Sequence, residues 1–137
     1  MELSLLYKCF EECGVVTTDS RNCPEGSMFI ALKGESFNGN AFAKQALEKG
    51  CRYAVVDEAQ YADNPNIFLV DDCLKTLQML AREHRRQLGT PIVGITGTNG
   101  KTTTKELIAT VLQKRYNVLY TQGNLNNHIG VPLTLLN

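Results

Sequence analysis

Ile92-Val93-Gly94-Ile95-Thr96-Gly97-Thr98-Asn99-Gly100-Lys101-Thr102-Thr103 is the stretch that decides the fold. Its first five residues form a near-continuous apolar run, as in a parallel strand covered on both faces. Residues 101–115 then read as an amphipathic helix, with Leu107, Ile108, Val111 and Leu112 on one side. Asn117-Val118-Leu119-Tyr120-Thr121 reads as the next strand. Strand, helix and strand within about 30 residues make a βαβ unit. Between strand and helix, Gly97 and Gly100 permit a tight turn that aims backbone N–H groups inward. The helix behind them presents about half a positive charge at its N-terminus. Lys101 can reach terminal phosphates, and the Thr102 hydroxyl can ligate Mg²⁺, which takes oxygen donors. The string is G-x-x-G-K-T and not the longer Walker A form, because Ile95 stands where that signature has glycine. Its place between an apolar strand and a helix makes it a phosphate loop. Gly97, Thr98, Asn99, Gly100, Lys101, Thr102 and Thr103 are the expected nucleotide-phosphate ligands. The loop alone does not choose among a switch GTPase, a kinase and an ATP-driven ligase.

Upstream, Gly89-Thr90-Pro91 breaks the pattern and marks the expected domain boundary. Before it, residues 2–13 read as a helix with Leu3, Leu6 and Phe10 on one face and Gly14 ending it. Strands are expected at 15–18, 28–32, 53–56 and 67–70, and a helix at 42–49 closed by Gly50. Asp19-Ser20-Arg21-Asn22 reads as a polar loop and Pro24-Glu25-Gly26 as a turn. Asp71 or Asp72 caps a long helix whose apolar stripe is Leu74, Leu77, Ala81, His84 and Leu88. His84 belongs to that stripe as a core-edge residue. Arg82, Arg85 and Arg86 read as a solvated face. The fold class is therefore α/β: a small α/β domain over residues 1–88, then the opening βαβ of a phosphate-loop ATPase domain over 89–137.

Composition narrows the function classes. The chain has 137 residues, 43% of them hydrophobic and 20% charged, which is globular rather than disordered. Lys plus Arg equals Asp plus Glu at 14 each, which argues against a dedicated nucleic-acid binder. No apolar run reaches the ~20 residues of a membrane helix, so no membrane partner is expected. Cys9, Cys13, Cys23, Cys51 and Cys73 form no C-x-x-C pair, and His84 and His128 lie far from them in sequence. Reduced thiols in a cytoplasmic protein explain them better than a zinc site.

Three ordered motifs carry a resemblance. Residues 94–105, Gly-Ile-Thr-Gly-Thr-Asn-Gly-Lys-Thr-Thr-Thr-Lys, resemble the ATP-binding loop of the Mur ligases, which build the bacterial cell-wall peptide. Thr18-Asp19-Ser20-Arg21, Pro24, Gly26 and Met28-Phe29-Ile30-Ala31-Leu32-Lys33-Gly34-Glu35 resemble the N-terminal domain of two members of that family. These add the third residue and the terminal D-alanyl-D-alanine. Gly123-Asn124-Leu125-Asn126-Asn127-His128-Ile129-Gly130-Val131-Pro132 is similar to the D-alanyl-D-alanine-adding type. The third-residue ligases carry Thr-Thr-Pro there.

The resemblance implies a ligase using ATP and Mg²⁺. A carboxylate of UDP-N-acetylmuramoyl-tripeptide takes the γ-phosphoryl group, and the amine of D-alanyl-D-alanine displaces phosphate from the acyl phosphate. Lys101 and Thr102 would be catalytic, with Thr102 the magnesium ligand. Asp19, Ser20 and Arg21 would lie near the uridine, although the same residues fit a plain polar turn. Asn124, Asn127 and His128 would contact the muramoyl-peptide or phosphates, although they also fit a hydrogen-bonded structural loop. The loop from Phe37 to Phe42 would also lie near the nucleotide, but Asn38 and Asn40 stand where relatives carry Asp and His. The resemblance further implies a three-domain enzyme much longer than this chain. An N-terminal fragment, inactive alone, is therefore the expectation. The alternatives are the third-residue ligase and a non-catalytic UDP-sugar or nucleotide-binding module.

Overall fold

The computed structural model describes residues 2–89, 101–114 and 130–136. The predicted strands at 92–96 and 117–121 lie outside them. Helix α1 (Leu3–Cys13) is followed by strands β1 (Val16–Thr17) and β2 (Met28–Ile30), helix α2 (Ala43–Glu48), and strands β3 (Tyr53–Val56) and β4 (Ile67–Leu69). Helices α3 (Cys73–Leu88), α4 (Lys101–Gln113) and α5 (Gly130–Leu136) follow, and short 3₁₀ turns lie at Gly39–Phe42 and Ala59–Tyr61. The four strands form one sheet in the order β1-β2-β3-β4, and every pair is parallel. Met28 pairs with Val16 on one side and Tyr53 on the other, and Ala54 pairs with Ile67.

Burial explains the strand composition. Met28, Phe29 and Ile30 are all at 0–1% exposure, as are Ala54, Val55 and Val56. Successive strand residues point to opposite faces, so continuous burial means that both faces are covered. Helix α2 packs on β2 and β3, and α1 packs on α3. Leu6, Tyr7 and Phe10 of α1 meet Leu77, Leu80 and Ala81 of α3 within one core. His84 sits at the edge of that core: its Nδ1 is 3.0 Å from the Tyr7 hydroxyl, and its ring meets Phe10 edge-on at 5.1 Å. Helix α5 packs against α3, and Leu136, 1% exposed, joins the same core.

Helix ends follow local chemistry. Asp72 is the residue that caps α3, its Oδ1 accepting from the Lys75 N–H at 3.2 Å. Gly89, at φ 61°, ends α3 in the left-handed region that a side chain disfavours. Gly14 ends α1 in the same way. Arg82, Arg85 and Arg86 are exposed, and all five cysteines are free thiols.

Three expectations need correction. Leu88 is 61% exposed. A 16-residue helix is about 24 Å long, whereas strands of three or four residues are only about 10–13 Å, so the last turn of α3 overhangs the sheet. Leu107 and Val111 of α4 are 64% and 66% exposed. The inward face of α4 instead runs through Lys105, Ile108, Ala109 and Leu112, spaced three and four apart, which turns the other two residues aside. Finally, residues 39–42 form a 3₁₀ turn ahead of α2 and not a loop running into a single helix.

Replacing Leu77, fully buried, with Ala is expected to lower unfolding stability by about 2–5 kcal/mol. Leu88→Ala on the same helix should stay within about 0.5 kcal/mol, because little surface is buried there. Urea unfolding of both variants checks the orientation of α3.

Candidate functional site

In a parallel sheet all strands end on one edge, and ligands bind in the crevice outside those carboxyl ends. Here that edge carries Asp19 after β1, Lys33 after β2, Asp57 and Glu58 after β3, and Asp71 and Asp72 after β4.

The loop after β1 is folded on itself. The Arg21 guanidinium donates to both Asp19 carboxylate oxygens, Nε to Oδ1 at 3.0 Å and Nη2 to Oδ2 at 3.3 Å. The Arg21 N–H also donates to Oδ1 at 2.9 Å. These bonds from Arg21 hold the Asp19 carboxyl below its ordinary range. The Thr17 hydroxyl donates to the Asn22 carbonyl at 2.9 Å, and Lys49 Nζ donates to the Ser20 carbonyl at 3.1 Å. The Arg21 side chain is nevertheless 87% exposed. It therefore remains open to an anion, at the cost of its pairing with Asp19.

The loop after β2 is more tightly built. The Gly34 N–H donates to the Phe37 carbonyl, and the Gly39 N–H donates to the Leu32 carbonyl at 2.8 Å. Gly39 approaches so closely that a Cβ there would lie 2.5 Å from the Leu32 carbonyl oxygen. Asn40, 1% exposed, donates from Nδ2 to Asn38 Oδ1 at 2.8 Å and to Asp57 Oδ1 at 2.9 Å. Its Oδ1 accepts from the Asp57 N–H at 2.9 Å. Asp57 Oδ2 accepts from the Cys73 N–H at the start of α3, 3.2 Å away. The Asn38 amide donates to Glu58, and Lys33 Nζ lies 3.6 Å from both Asp57 and Glu58. Burial pushes the Asp57 carboxyl up, but Asn40, the Cys73 N–H and Lys33 together outweigh it and hold the group below its ordinary range. No buried side-chain nitrogen or oxygen lacks a partner among the described residues.

Next to β4, a groove of about 280 Å³ opens between α1 and α3, lined by Leu3, Leu6, Val70, Asp71, Asp72 and Met79 among others. The middle of the edge is thus amide-rich and acidic, with Lys33 between Asp57 and Glu58 and Phe37, 56% exposed, at its rim, while Arg21 lies beside β1 and Lys75 lines the groove beside β4.

The phosphate-loop residues stand apart. Gly97, Thr98, Asn99 and Gly100 lie outside the described residues, as do Asn124, Asn127 and His128. Lys101, Thr102 and Thr103 are the first residues of α4, described as backbone. The fit to a nucleotide phosphate is good on that backbone. A 13-residue helix opens at Lys101, directly after Gly100 in sequence, and a helix of that length presents unpaired N–H groups and the positive end of its dipole at its start. The Thr102 hydroxyl is an oxygen donor of the kind Mg²⁺ takes. No group of three or more His, Cys, Asp or Glu side chains among the described residues is arranged to hold a metal.

Lys33, Asp57 and Glu58 were not singled out as site candidates by motif, yet they share the edge with Asn38 and Asn40. The available signal was their position: Asp57 and Glu58 directly follow β3, and Lys33 follows the apolar run that continues β2 to Leu32. Among the described residues, no hydrogen bond joins Asp19 or Arg21 to this network.

Family models place the chain. Residues 12–85 match the catalytic domain of the Mur ligase family, and residues 95–137 match the Mur ligase middle domain. The chain belongs to the Mur ligase family. It is 47% identical over 123 residues to a UDP-N-acetylmuramoyl-tripeptide–D-alanyl-D-alanine ligase of Bacillus subtilis, a match covering 88% of this chain and 27% of the relative. The ligase of the same name from Escherichia coli is 44% identical over 121 residues, covering 88% and 26%. Among solved structures, the Thermotoga maritima MurF ligase in complex with ADP superposes with a TM-score of 0.80 at 36% identity, covering 90% of this chain and 29% of that one. An Acinetobacter baumannii MurF structure gives 0.83 at 33% identity, covering 98% and 32%. The chain thus spans 26–27% of the length of these curated relatives. No described helix is long and apolar enough to cross a membrane.

The Asp57 network carries a pH signature. A carboxyl held low in the folded state contributes stability above its unfolded pKa of about 3.9, and that contribution is lost as pH falls through the folded value. Between about pH 5 and pH 2 the Asp57→Asn variant should therefore lose less stability than the parent chain. Thermal unfolding across that window checks this; parallel slopes would count against the network.

Proposed function

We propose that this chain is the N-terminal part of a cytoplasmic, ATP-dependent ligase that adds D-alanyl-D-alanine to UDP-N-acetylmuramoyl-tripeptide. Residues 1–88 form its UDP-substrate domain and residues 89–137 open its ATP-binding domain. One observation carries the reading. A single stretch of 123 residues, running through both parts, is 47% identical to a ligase of that activity. The MurF neighbour crystallised with ADP supports the nucleotide, and the free thiols support a reducing compartment.

Roles follow from chemistry. When bound, ATP with Mg²⁺ supplies the phosphoryl group that activates the peptide carboxylate toward the incoming amine. Carboxylate and triphosphate repel one another, so this chain must hold them in line and offset their charge. The backbone N–H groups of Gly97, Thr98, Asn99 and Gly100, with that of Thr103 at the start of α4, would hold the phosphates. Lys101 would supply a cation to the phosphates, and Thr102 would give its hydroxyl oxygen to Mg²⁺. Asp19, Ser20 and Arg21 contact the UDP end of the substrate. Asn124, Asn127 and His128 contact the muramoyl-peptide or the phosphates.

The electrostatics of the sheet edge divide the UDP group. Asp57, Glu58, Asp71 and Asp72 repel a diphosphate, while the Asn38 amide and the Phe37 ring suit an uncharged base or ribose. The diphosphate belongs toward Arg21 and Lys49, whose ammonium is already drawn to the Ser20 carbonyl.

In the complete polypeptide that carries this chain, Lys101→Ala should lower substrate-dependent ADP release by about 10²–10³-fold, the scale of losing one preorganised electrostatic donor. Coupled-assay turnover near the parent rate would overturn the phosphate-loop assignment.

A further inference from the structure

The edge of the sheet opposite the site gathers thiols. Cys13 precedes β1, Cys23 precedes β2 and Cys51 precedes β3, so parallel pairing brings all three to the amino ends of neighbouring strands. The two segments nearest each other are fixed by backbone bonds. The Gly26 N–H donates to the Gly50 carbonyl at 2.7 Å, and the Arg52 N–H donates to the Ser27 carbonyl at 2.8 Å. Within that frame the Cys51 thiol lies 3.2 Å from the Ser27 hydroxyl, and Cys23 is near enough to help raise the Cys51 thiol above its ordinary range. Cys23 in turn ties back to the loop after β1. Its thiol donates to the Ser20 carbonyl at 3.4 Å and lies 3.7 Å from the Asp19 carbonyl.

We propose that Cys23 and Cys51 are a dithiol pair oxidised by hydrogen peroxide to a reversible disulfide, which fixes the end of the Asp19–Cys23 loop to the start of β3. The two thiols differ in access, and that sets the order of events. Cys23 is half-buried and reaches solvent, while Cys51 is 6% exposed. Burial pushes the Cys51 thiol up to about 11, so it waits in its neutral form. The Cys23 thiolate attacks one peroxide oxygen, the O–O bond breaks, and the departing hydroxide takes a proton to become water. The resulting sulfenic acid is then attacked by the Cys51 sulfur. The S–S bond forms, the S–O bond breaks, and the Cys51 proton leaves with that hydroxide as a second water. Two thiols lose two electrons and one peroxide becomes two waters.

The other cysteines are poorer partners. Cys73 is 1% exposed and donates to the Val55 carbonyl inside the core. Cys9 and Cys13 share one face of α1, and burial pushes Cys13 up to about 11. Cys13, which starts from the same edge of the sheet, is the competitor that the test must exclude.

The test is peroxide treatment of the folded chain, alkylation of remaining thiols in denaturant, and peptide mapping. The expected result is loss of two alkylatable thiols and one cross-linked pair, Cys23 with Cys51, reversed by dithiothreitol. Cys13→Ser should leave that pair intact. In Cys51→Ser, dimedone should instead trap a sulfenic acid at Cys23. Trypsin cleavage after Arg21, whose side chain is 87% exposed, should slow when the cross-link is present. Five alkylatable thiols after peroxide, a cross-link through Cys13, or cleavage at an unchanged rate would overturn the proposal.

Discussion

Parallel pairing of four very short strands is the constraint on which everything else in the described structure rests. With strands of two to four residues, the ladder alone contributes little cohesion. The sheet persists because both faces of its centre are buried, β2 completely and β3 at Ala54, Val55 and Val56. Parallel order also sorts the chemistry. Every loop that follows a strand opens on one edge, and every segment that precedes one starts on the other. The first edge holds Asp19, Lys33, Asp57, Glu58, Asp71 and Asp72, while Cys13, Cys23 and Cys51 start from the second.

On the loop edge, Asn40 is the fastener. It is a polar side chain buried to 1% exposure, which costs free energy unless its amide is fully engaged. Asp57 engages it twice and passes the connection on to the first N–H of α3. The loop after β2, the end of β3 and the start of α3 are thereby one hydrogen-bonded unit. Gly39 lets that loop lie directly against the Leu32 backbone. A site built this way is preorganised before any ligand arrives, which lowers the ordering cost of binding.

Much of this was legible in the sequence because local chemistry fixes it. Gly14 and Gly89 stop helices where the pattern placed them, and Asp72 is one of the two caps anticipated. His84 is the core-edge residue that its stripe implied. Other features depend on distance in space and were not legible. Nothing local distinguishes Leu88 from Leu77; only the short sheet beneath α3 does. Leu107 and Val111 are as apolar as a buried stripe requires, but the face that α4 turns inward passes through Ala109. The Asp57 network joins residues seventeen positions apart, so no motif announces it. The phosphate-loop glycines and the asparagine string were read from pattern, and of these motifs the structure describes the helix that opens at Lys101 and the helix that opens at Gly130.

The central claim is that this chain opens a ligase whose amine substrate is a D-amino acid dipeptide. Phosphate release by the complete polypeptide, with ATP, Mg²⁺ and UDP-N-acetylmuramoyl-tripeptide, tests it most directly. D-alanyl-D-alanine should drive turnover, and a single diamino acid should not. Turnover driven by the diamino acid with the dipeptide acceptor, or binding of the nucleotide substrate without phosphate release under any amine, would contradict the account.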